Sequence, residues 1–382
     1  MKKPKVMTVY GTRPEAIKVA PVLRQLAKSP NFESIAVSTG QHREMLDQVN
    51  QMFKIVPEFD LNIMRPAQSL NMIFSRTVSG IDGIISATAP DAILVQGDTT
   101  TAAAAAIAAF NSQVPVVHLE AGLRTGDITE PFPEEGNRKI VGQISKLHLA
   151  PTAASKENLI SEGVCSEDIV ISGNTVIDAL FIAKNWKVRF TDERLEAVRR
   201  AGSKIVMVTT HRRENIQDMK NIGRAIARLA KDFSDVVFVL PAHLNPKVRE
   251  KLLPWIVRFN NVLVTEPLPY NEFTQLMTRS TLILSDSGGV QEEAPSLGKP
   301  VLVLRKNTER PEAVLAGTVK LIGTNEDSIV REARRLLTDK EAYNTMANAV
   351  NPYGDGNAAI RCVRALGSMF GIDERMADYC PL

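Results

Sequence analysis

Cysteine is scarce: Cys165, Cys362 and Cys380 are the only three in 382 residues, and they form no CxxC pair. Neither a disulfide framework nor a zinc site of the usual spacing can be written from them, so a reducing cytoplasm is the expected compartment. An excess of one charge is missing as well, since 46 Lys and Arg against 43 Asp and Glu leave a net charge of +3. Nucleic-acid binders carry a basic excess or stripe, and none is present, so no nucleic-acid partner is expected. No stretch approaches the ~20 apolar residues of a membrane span. The basic start Met1-Lys2-Lys3-Pro4 leads only into Val6–Tyr10, broken at Thr8 and too short for a signal peptide. No membrane partner is expected either. Finally, no GxGxxG follows a strand candidate, and neither GxxxxGKS, GxxxxGKT nor HExxH occurs. The usual signatures of nicotinamide, P-loop and zinc chemistry are therefore absent, and neither metal nor cofactor is expected.

What is present is a regular alternation. Short β-branched runs recur at Val6–Tyr10, Ile35–Ser38, Ala92–Val95, Val114–Leu119, Leu147–Ala150 and Ile169–Ser172. A second series runs through Ile205–Thr209, Val236–Leu240, Val262–Thr265, Leu282–Ser285, Val301–Leu304 and Val319–Ile322. Runs of this length without polar alternation read as strands covered on both faces. Helical patterns fill the gaps, among them Pro14–Lys28, opened by proline, and an alanine-rich helix after Thr99-Thr100-Thr101. Alternating strand and helix specify parallel sheets with right-handed crossovers. The fold class is therefore α/β, with two doubly wound Rossmann-like domains at 1–172 and 173–356. Residues 357–382 are expected to pack back onto the first domain.

In open α/β sheets, ligands bind beyond the carboxyl ends of the strands. The unusual polar segments all follow strands: Gly11-Thr-Arg-Pro-Glu15, Gln41-His-Arg43, Gln96-Gly-Asp-Thr-Thr-Thr101 and Glu120-Ala-Gly-Leu-Arg-Thr-Gly126 in the first half. In the second half they are His211-Arg-Arg-Glu-Asn215, His243-Leu-Asn-Pro246, Asp286-Ser-Gly-Gly-Val-Gln-Glu-Glu293 and Arg305 to Glu312. Two such edges facing each other make a cleft. Ser287-Gly288-Gly289 opens a helix and offers bare backbone N–H groups to an anion, although it also reads as a plain Ser N-cap with turn glycines. Arg13, His211 and Arg212 stand at strand ends, where they can neutralise a diphosphate. Glu293 suits two ribose hydroxyls, whereas Glu292 reads as a plain charge near a helix start.

Asp98, Glu120 and Glu134 sit just past apolar segments in loops rich in Gly, Thr and Pro. Asp98 alone reads equally as an N-cap, and Glu134-Glu135 as first-turn acids of a helix running to Ser145. Three acids on one cleft can instead divide acid and base duties. Among the histidines, His211 is the catalytic candidate and His42 and His243 are cleft candidates. His148 reads as a core residue, and His118 as one that orients a neighbour.

These segments form long, uncommon strings: GTRPEAIKVAP at 11–21, QHREMLDQV at 41–49, GDTTT at 97–101, EAGLRTGD at 120–127, PEEGNR at 133–138, GNTVIDAL at 173–180, HRREN at 211–215, DSGGVQEEAPSLGKPVLVLR at 286–305, TERPEAV at 308–314 and NPYGDG at 351–356. From Val6 to about Arg361 the chain resembles the non-hydrolysing UDP-N-acetylglucosamine 2-epimerases. The resemblance implies domains of the glycosyltransferase B type, a homodimer, and interconversion of UDP-GlcNAc with UDP-ManNAc. It assigns catalysis to Asp98, Glu120, Glu134 and His211, and nucleotide-sugar contacts to Arg13, Lys18, Ser287, Gly288, Glu293 and Arg310. It also implies an effector-binding loop at Gln41-His42-Arg43. Two departures flank the acids: Gln96 stands where relatives often have His, and Glu130-Pro131-Phe132-Pro133 replaces an aromatic Ser-Pro-Trp/Tyr-Pro stretch. A retaining glycosyltransferase of this fold would need an acceptor site that the sequence does not display, and a nucleotide-sugar sensor would not need the three acids.

Overall fold

The computed structural model describes residues 2–41 and 43–381. Two compact units are present, one formed by Met1–Ala179 with Tyr353–Cys380 and the other by Leu180–Pro352 with Pro381–Leu382. The first unit holds β1 (Lys5–Tyr10), β2 (Glu33–Ser38), β3 (Phe59–Asp60), β4 (Ala92–Gln96), β5 (Val116–Leu119), β6 (Leu147–Ala150) and β7 (Ile169–Ile171). They form one sheet in the order β3-β2-β1-β4-β5-β6-β7, parallel throughout. The second unit holds β8 (Lys204–Thr209), β9 (Val236–Pro241), β10 (Val262–Thr265), β11 (Leu282–Ser285), β12 (Val301–Val303) and β13 (Val319–Leu321). Its order is β10-β9-β8-β11-β12-β13, again parallel.

Both sheets are doubly wound, as the alternation of strand and helix demands. All twelve strands expected from sequence are present; β3 is the addition, a two-residue edge strand too short to announce itself. Each unit has its own apolar core. In the first, Val9, Ile93 and Val95 of the sheet meet Ile81, Ile85, Ala102 and Ala106 of the helices. The alanine run is buried on every side in the helix Thr100–Asn111, which is why it shows no polar face. In the second, Val206, Val208 and Leu284 pack under Ile222, Ile226 and Leu252. Among the described residues no helix is long and apolar enough to cross a membrane.

The strand orders place the functional edges. The first sheet changes winding direction between β1 and β4, and the second between β8 and β11. At such switch points the loops leave in opposite directions and open a crevice at the carboxyl ends of the strands. Gly11 and Gly97 follow β1 and β4, while Thr210 and Asp286 follow β8 and β11. The chain's last long helix, Ala358–Met369, belongs to the first unit. Its first N–H groups, from Ala358 and Ala359, are accepted by the buried Asp178 at 3.2 and 2.8 Å. Burial pushes the Asp178 carboxyl up to about 6 against those two donors.

Candidate active site

The first crevice is held by a buried carboxylate. Thr12 caps the helix Arg13–Lys28 in a capping box with Glu15. Glu15 does more than cap. Its Oε2 accepts the N–H groups of Gly11 and Thr12 at 2.9 and 2.7 Å, and its Oε1 accepts the Thr99 hydroxyl from across the switch point at 2.6 Å. Burial keeps its carboxyl above the ordinary range despite these donors. Gly11 is required here because a Cβ would meet the Thr39 hydroxyl at 2.0 Å. Arg13 and Lys18 thus leave a loop and helix that are fixed to the β4 loop.

Glu120, directly after β5, has a φ of +64°, the only buried non-glycine residue in that region among those described. This conformation costs on the order of 1–2 kcal/mol for a residue with a side chain and persists only where the surroundings impose it. The cause is visible in its partners. Lys18 Nζ lies 2.5 Å from both carboxylate oxygens, Asn174 Nδ2 donates to Oε1 at 3.3 Å, and Gln96 Nε2 donates to Oε2. Gln96 delivers a hydrogen bond without a titratable proton, so Lys18 is the charged partner of Glu120 in this set.

Asp98 is not the cap of the following helix; Thr99 is. The Asp98 carboxylate is instead paired with Arg138, whose Nε and Nη2 approach Oδ2 at 2.8 and 2.7 Å. Burial raises the Asp98 carboxyl, Arg138 opposes the rise, and the Glu120 charge adds to it. Arg138 also contacts Glu135 at 3.0 Å, and Glu135 accepts the Thr125 N–H at 3.2 Å. Glu134 opens the helix Glu134–Ile144, yet its buried Oε2 has no hydrogen-bond partner among the described residues. A buried carboxylate oxygen left unmatched costs about 1–3 kcal/mol, which a purely structural first-turn acid would not incur. His118 donates through Nε2 to the Gly97 carbonyl at 2.8 Å, holding the turn before Asp98; burial lowers its ring to about 3. His148 is a core residue of β6, lowered to about 4 by burial.

The second crevice is also spanned by a buried carboxylate, Asp286. It accepts the Thr210 hydroxyl at 2.8 Å, the His211 N–H at 3.0 Å, the Arg212 N–H at 3.0 Å and Asn215 Nδ2 at 3.0 Å. His211 Nδ1 lies 3.2 Å from its Oδ1. Burial pushes this carboxyl up, but His211 and the other donors outweigh burial and hold it below the usual range. His243 stacks on His211 with ring centroids 5.6 Å apart.

Ser287 stands at the N-cap of Gly288–Glu293, but its hydroxyl makes no capping bond. The helix is six residues long before it tightens into a 3-10 turn at Ala294–Leu297. Attraction for an anion therefore rests on guanidinium groups more than on a macrodipole. A Cβ on Gly288 would stand 3.4 Å from Arg310 Cζ and 3.6 Å from Arg212 Nη2, so both cations line this backbone. The buried Nε of Arg212 has no hydrogen-bond partner among the described residues. Glu292, expected as a plain helix-start charge, is the partner that aims Arg310, at 2.7 Å from its Nε. Glu293 turns back toward Gly289, its Oε1 3.5 Å from where a Cβ would stand.

The structure thus brings Lys18, Asp98 and Glu120 into one linked set at the first switch point. It brings His211, Arg212, Ser287, Gly288 and Arg310 together at the second. Gln41 accepts the Thr101 hydroxyl at 2.5 Å, and Arg43 pairs with Asp60 and with Asp47. His42 lies outside the described residues. Glu15, Arg138, Asn174 and Asp286 were not singled out from sequence, although all four lie in the polar segments or strings that were; the partners that place them lie across the switch points or tens of residues away.

Residues 24–367 match the family described as UDP-N-acetylglucosamine 2-epimerase. The UDP-N-acetylglucosamine 2-epimerase of Bacillus subtilis is 49% identical over 381 residues, covering 99% of each chain. The UDP-GlcNAc 2-epimerase of Neisseria meningitidis, solved bound to UDP-GlcNAc, is 48% identical with a TM-score of 0.84, covering 95% of this chain and 100% of that one. The UDP-GlcNAc 2-epimerase of Methanocaldococcus jannaschii, in complex with UDP-GlcNAc and UDP, is 32% identical with a TM-score of 0.75, covering 95% and 99%. With identity of this order along nearly its whole length, the chain belongs to the UDP-N-acetylglucosamine 2-epimerase family.

Proposed function

We propose that the protein interconverts UDP-GlcNAc and UDP-ManNAc by eliminating UDP and adding it back, without hydrolysis and without redox chemistry. The C2 hydrogen of the sugar adjoins no carbonyl, so its direct abstraction is too costly. Breaking the C1–O bond to UDP develops positive charge at C1 and acidifies the C2 proton. Loss of both gives a 2-acetamidoglucal, and protonation of C2 from the other face with return of UDP gives the epimer. The route asks for a base, a proton donor, negative charge near C1 and cationic support for the departing diphosphate.

The observation that carries this reading is the acid set of the first crevice: Glu120 held in a left-handed conformation against Lys18, and Glu134 with an unmatched buried oxygen. Asp98, Glu120 and Glu134 supply base, donor and negative charge. His211, Arg212, Arg310 and the Ser287-Gly288-Gly289 backbone take the diphosphate, with Arg13 and Lys18 as further cations. Glu293 takes the ribose. We assign the enzyme to the cytoplasm, as a homodimer that supplies ManNAc units for cell-surface polysaccharide. We further propose that UDP-GlcNAc activates from a second position at Gln41-His42-Arg43, a reading supported by the Gln41–Thr101 bond to the helix that follows Asp98.

The test is to incubate the pure protein with UDP-GlcNAc and identify the sugar. UDP-ManNAc is expected; free ManNAc with UDP would mean hydrolysis, and unchanged substrate would remove the proposal.

A further inference from the structure

Asp286 accepts hydrogen from four donors outside the His211 ring, which alone would make it an anchor for the loop after β8. The contact of its Oδ1 with His211 Nδ1 adds a second consequence. An ionised carboxylate can only accept, so Nδ1 must carry a hydrogen, and the neutral ring keeps its lone pair on Nε2. His243, from the loop after β9, stacks on the ring. Asp286 thus faces Nδ1 and leaves Nε2 open to exchange a proton, without accepting that proton itself.

Two other histidines have the opposite arrangement. His118 reaches the Gly97 carbonyl through Nε2, and His243 accepts the Asn245 N–H on Nδ1 at 3.1 Å, so both carry their hydrogen on Nε2. The His211 ring is inverted relative to them.

We infer that Asp286 is a positioning residue that fixes His211 as the Nδ1–H form and presents Nε2 as the proton-exchanging atom toward the diphosphate of the nucleotide-sugar. This rests on the functional reading above. In the forward direction the ring first takes a solvent proton on Nε2, and the imidazolium passes it to a diphosphate oxygen as the C1–O bond breaks. In the return direction that oxygen gives the proton back to Nε2 as it rejoins C1, so no proton is consumed and Asp286 stays ionised throughout. The same carboxylate holds the backbone of His211 and Arg212, so one group sets the ring and the neighbouring cation together.

The experiment is a long-range proton–nitrogen correlation spectrum of the full-length nitrogen-15-labelled protein, taken at about pH 8, where imidazole is mostly neutral. With five histidines in the chain, single substitutions assign each ring, and His118 serves as an internal Nε2–H reference. The expected result is Nδ1–H for His211 in the unmodified protein. Nε2–H there would overturn the inference without any variant having to fold. Asp286→Asn should move His211 to Nε2–H and lower kcat about 100-fold or more, short of the roughly 10,000-fold seen when a triad carboxylate becomes an amide. The Kd for UDP should change less than about threefold, because the diphosphate cations remain. Thr210→Val, which removes a donor to the same carboxylate but leaves the ring alone, should keep the Nδ1–H form and most of kcat. Equal kcat losses in both variants with the His211 tautomer unchanged would reduce Asp286 to a loop anchor and overturn the inference. If the unmodified protein fails to epimerise UDP-GlcNAc, the functional reading fails, while the tautomer spectrum still decides what Asp286 does to the ring.

Discussion

Beside the β1–β4 switch point the chain gathers carboxylates, Asp98 and Glu120 held by cations and Glu15 by backbone amides; beside the β8–β11 switch point it gathers guanidinium groups and bare backbone. The scaffolds beneath are alike. Each sheet reverses its winding at the crevice, and each crevice is spanned by one buried carboxylate that accepts backbone N–H groups. Glu15 joins the β1 loop to Thr99, and Asp286 joins the β11 loop to His211 and Arg212. The difference lies in what stands in front. Asp98 and Glu120 are paired with Arg138 and Lys18, and we propose that they and Glu134 are the proton-transfer groups. Arg212 and Arg310 are fixed charges with nothing to titrate. On the function proposed above, one crevice moves protons and the other holds the leaving group.

That contrast breaks most visibly at the acids. Asp98→Asn, Glu120→Gln and Glu134→Gln should each lower kcat at least about 100-fold, the usual scale for losing an acid–base group, while the Kd for UDP by calorimetry stays nearly constant. Near-normal turnover in any one would return that residue to a structural role. Arg212→Met should act in reverse, raising the Kd for UDP about 10- to 100-fold, the equivalent of one lost charge-assisted contact, with a melting temperature close to that of the parent. A large fall in kcat at unchanged UDP affinity would contradict the division.

Much of this was legible in the sequence because the signals are local. Strand runs, a proline-opened helix and polar segments after strands each span a few residues, and they located both crevices. What was not legible is long-range. β3 is set by pairing with β2 rather than by its own two residues. Asp98 read as well as an N-cap until the structure gave that role to Thr99 and paired Asp98 with Arg138, forty residues away. Glu292 looked like a helix-start charge because its partner Arg310 lies beyond β12. The unmatched oxygen of Glu134 is a property of packing, and no spacing encodes it.

A finer test lies in pH dependence. Arg138 favours the ionised form of Asp98 against burial. Removing that cation in Arg138→Met leaves burial and the Glu120 charge unopposed by it, so the Asp98 carboxyl stays protonated to higher pH. The acidic limb of the kcat/KM profile should therefore move to higher pH, and an unmoved limb would show that Arg138 serves only structure. The smallest effect is expected at Gln41. With UDP-ManNAc as substrate, a trace of UDP-GlcNAc should accelerate the parent enzyme, and Gln41→Ala should weaken that acceleration several-fold while leaving the forward reaction largely intact. Equal initial rates with and without the trace in the parent would remove the second nucleotide position.

On the proposed route one crevice exchanges a proton at C2 while the other releases the diphosphate from C1. Running UDP-GlcNAc in deuterium oxide with no added cofactor, with a heavy-oxygen label in the sugar–phosphate bridge, tests both halves at once. Nuclear magnetic resonance of the UDP-ManNAc formed should show deuterium at C2 and the label scrambled into non-bridging positions of the β-phosphate, because a carboxylate base equilibrates with solvent and free UDP rotates before it returns. Product that retains its C2 protium and an unscrambled bridge would contradict the account.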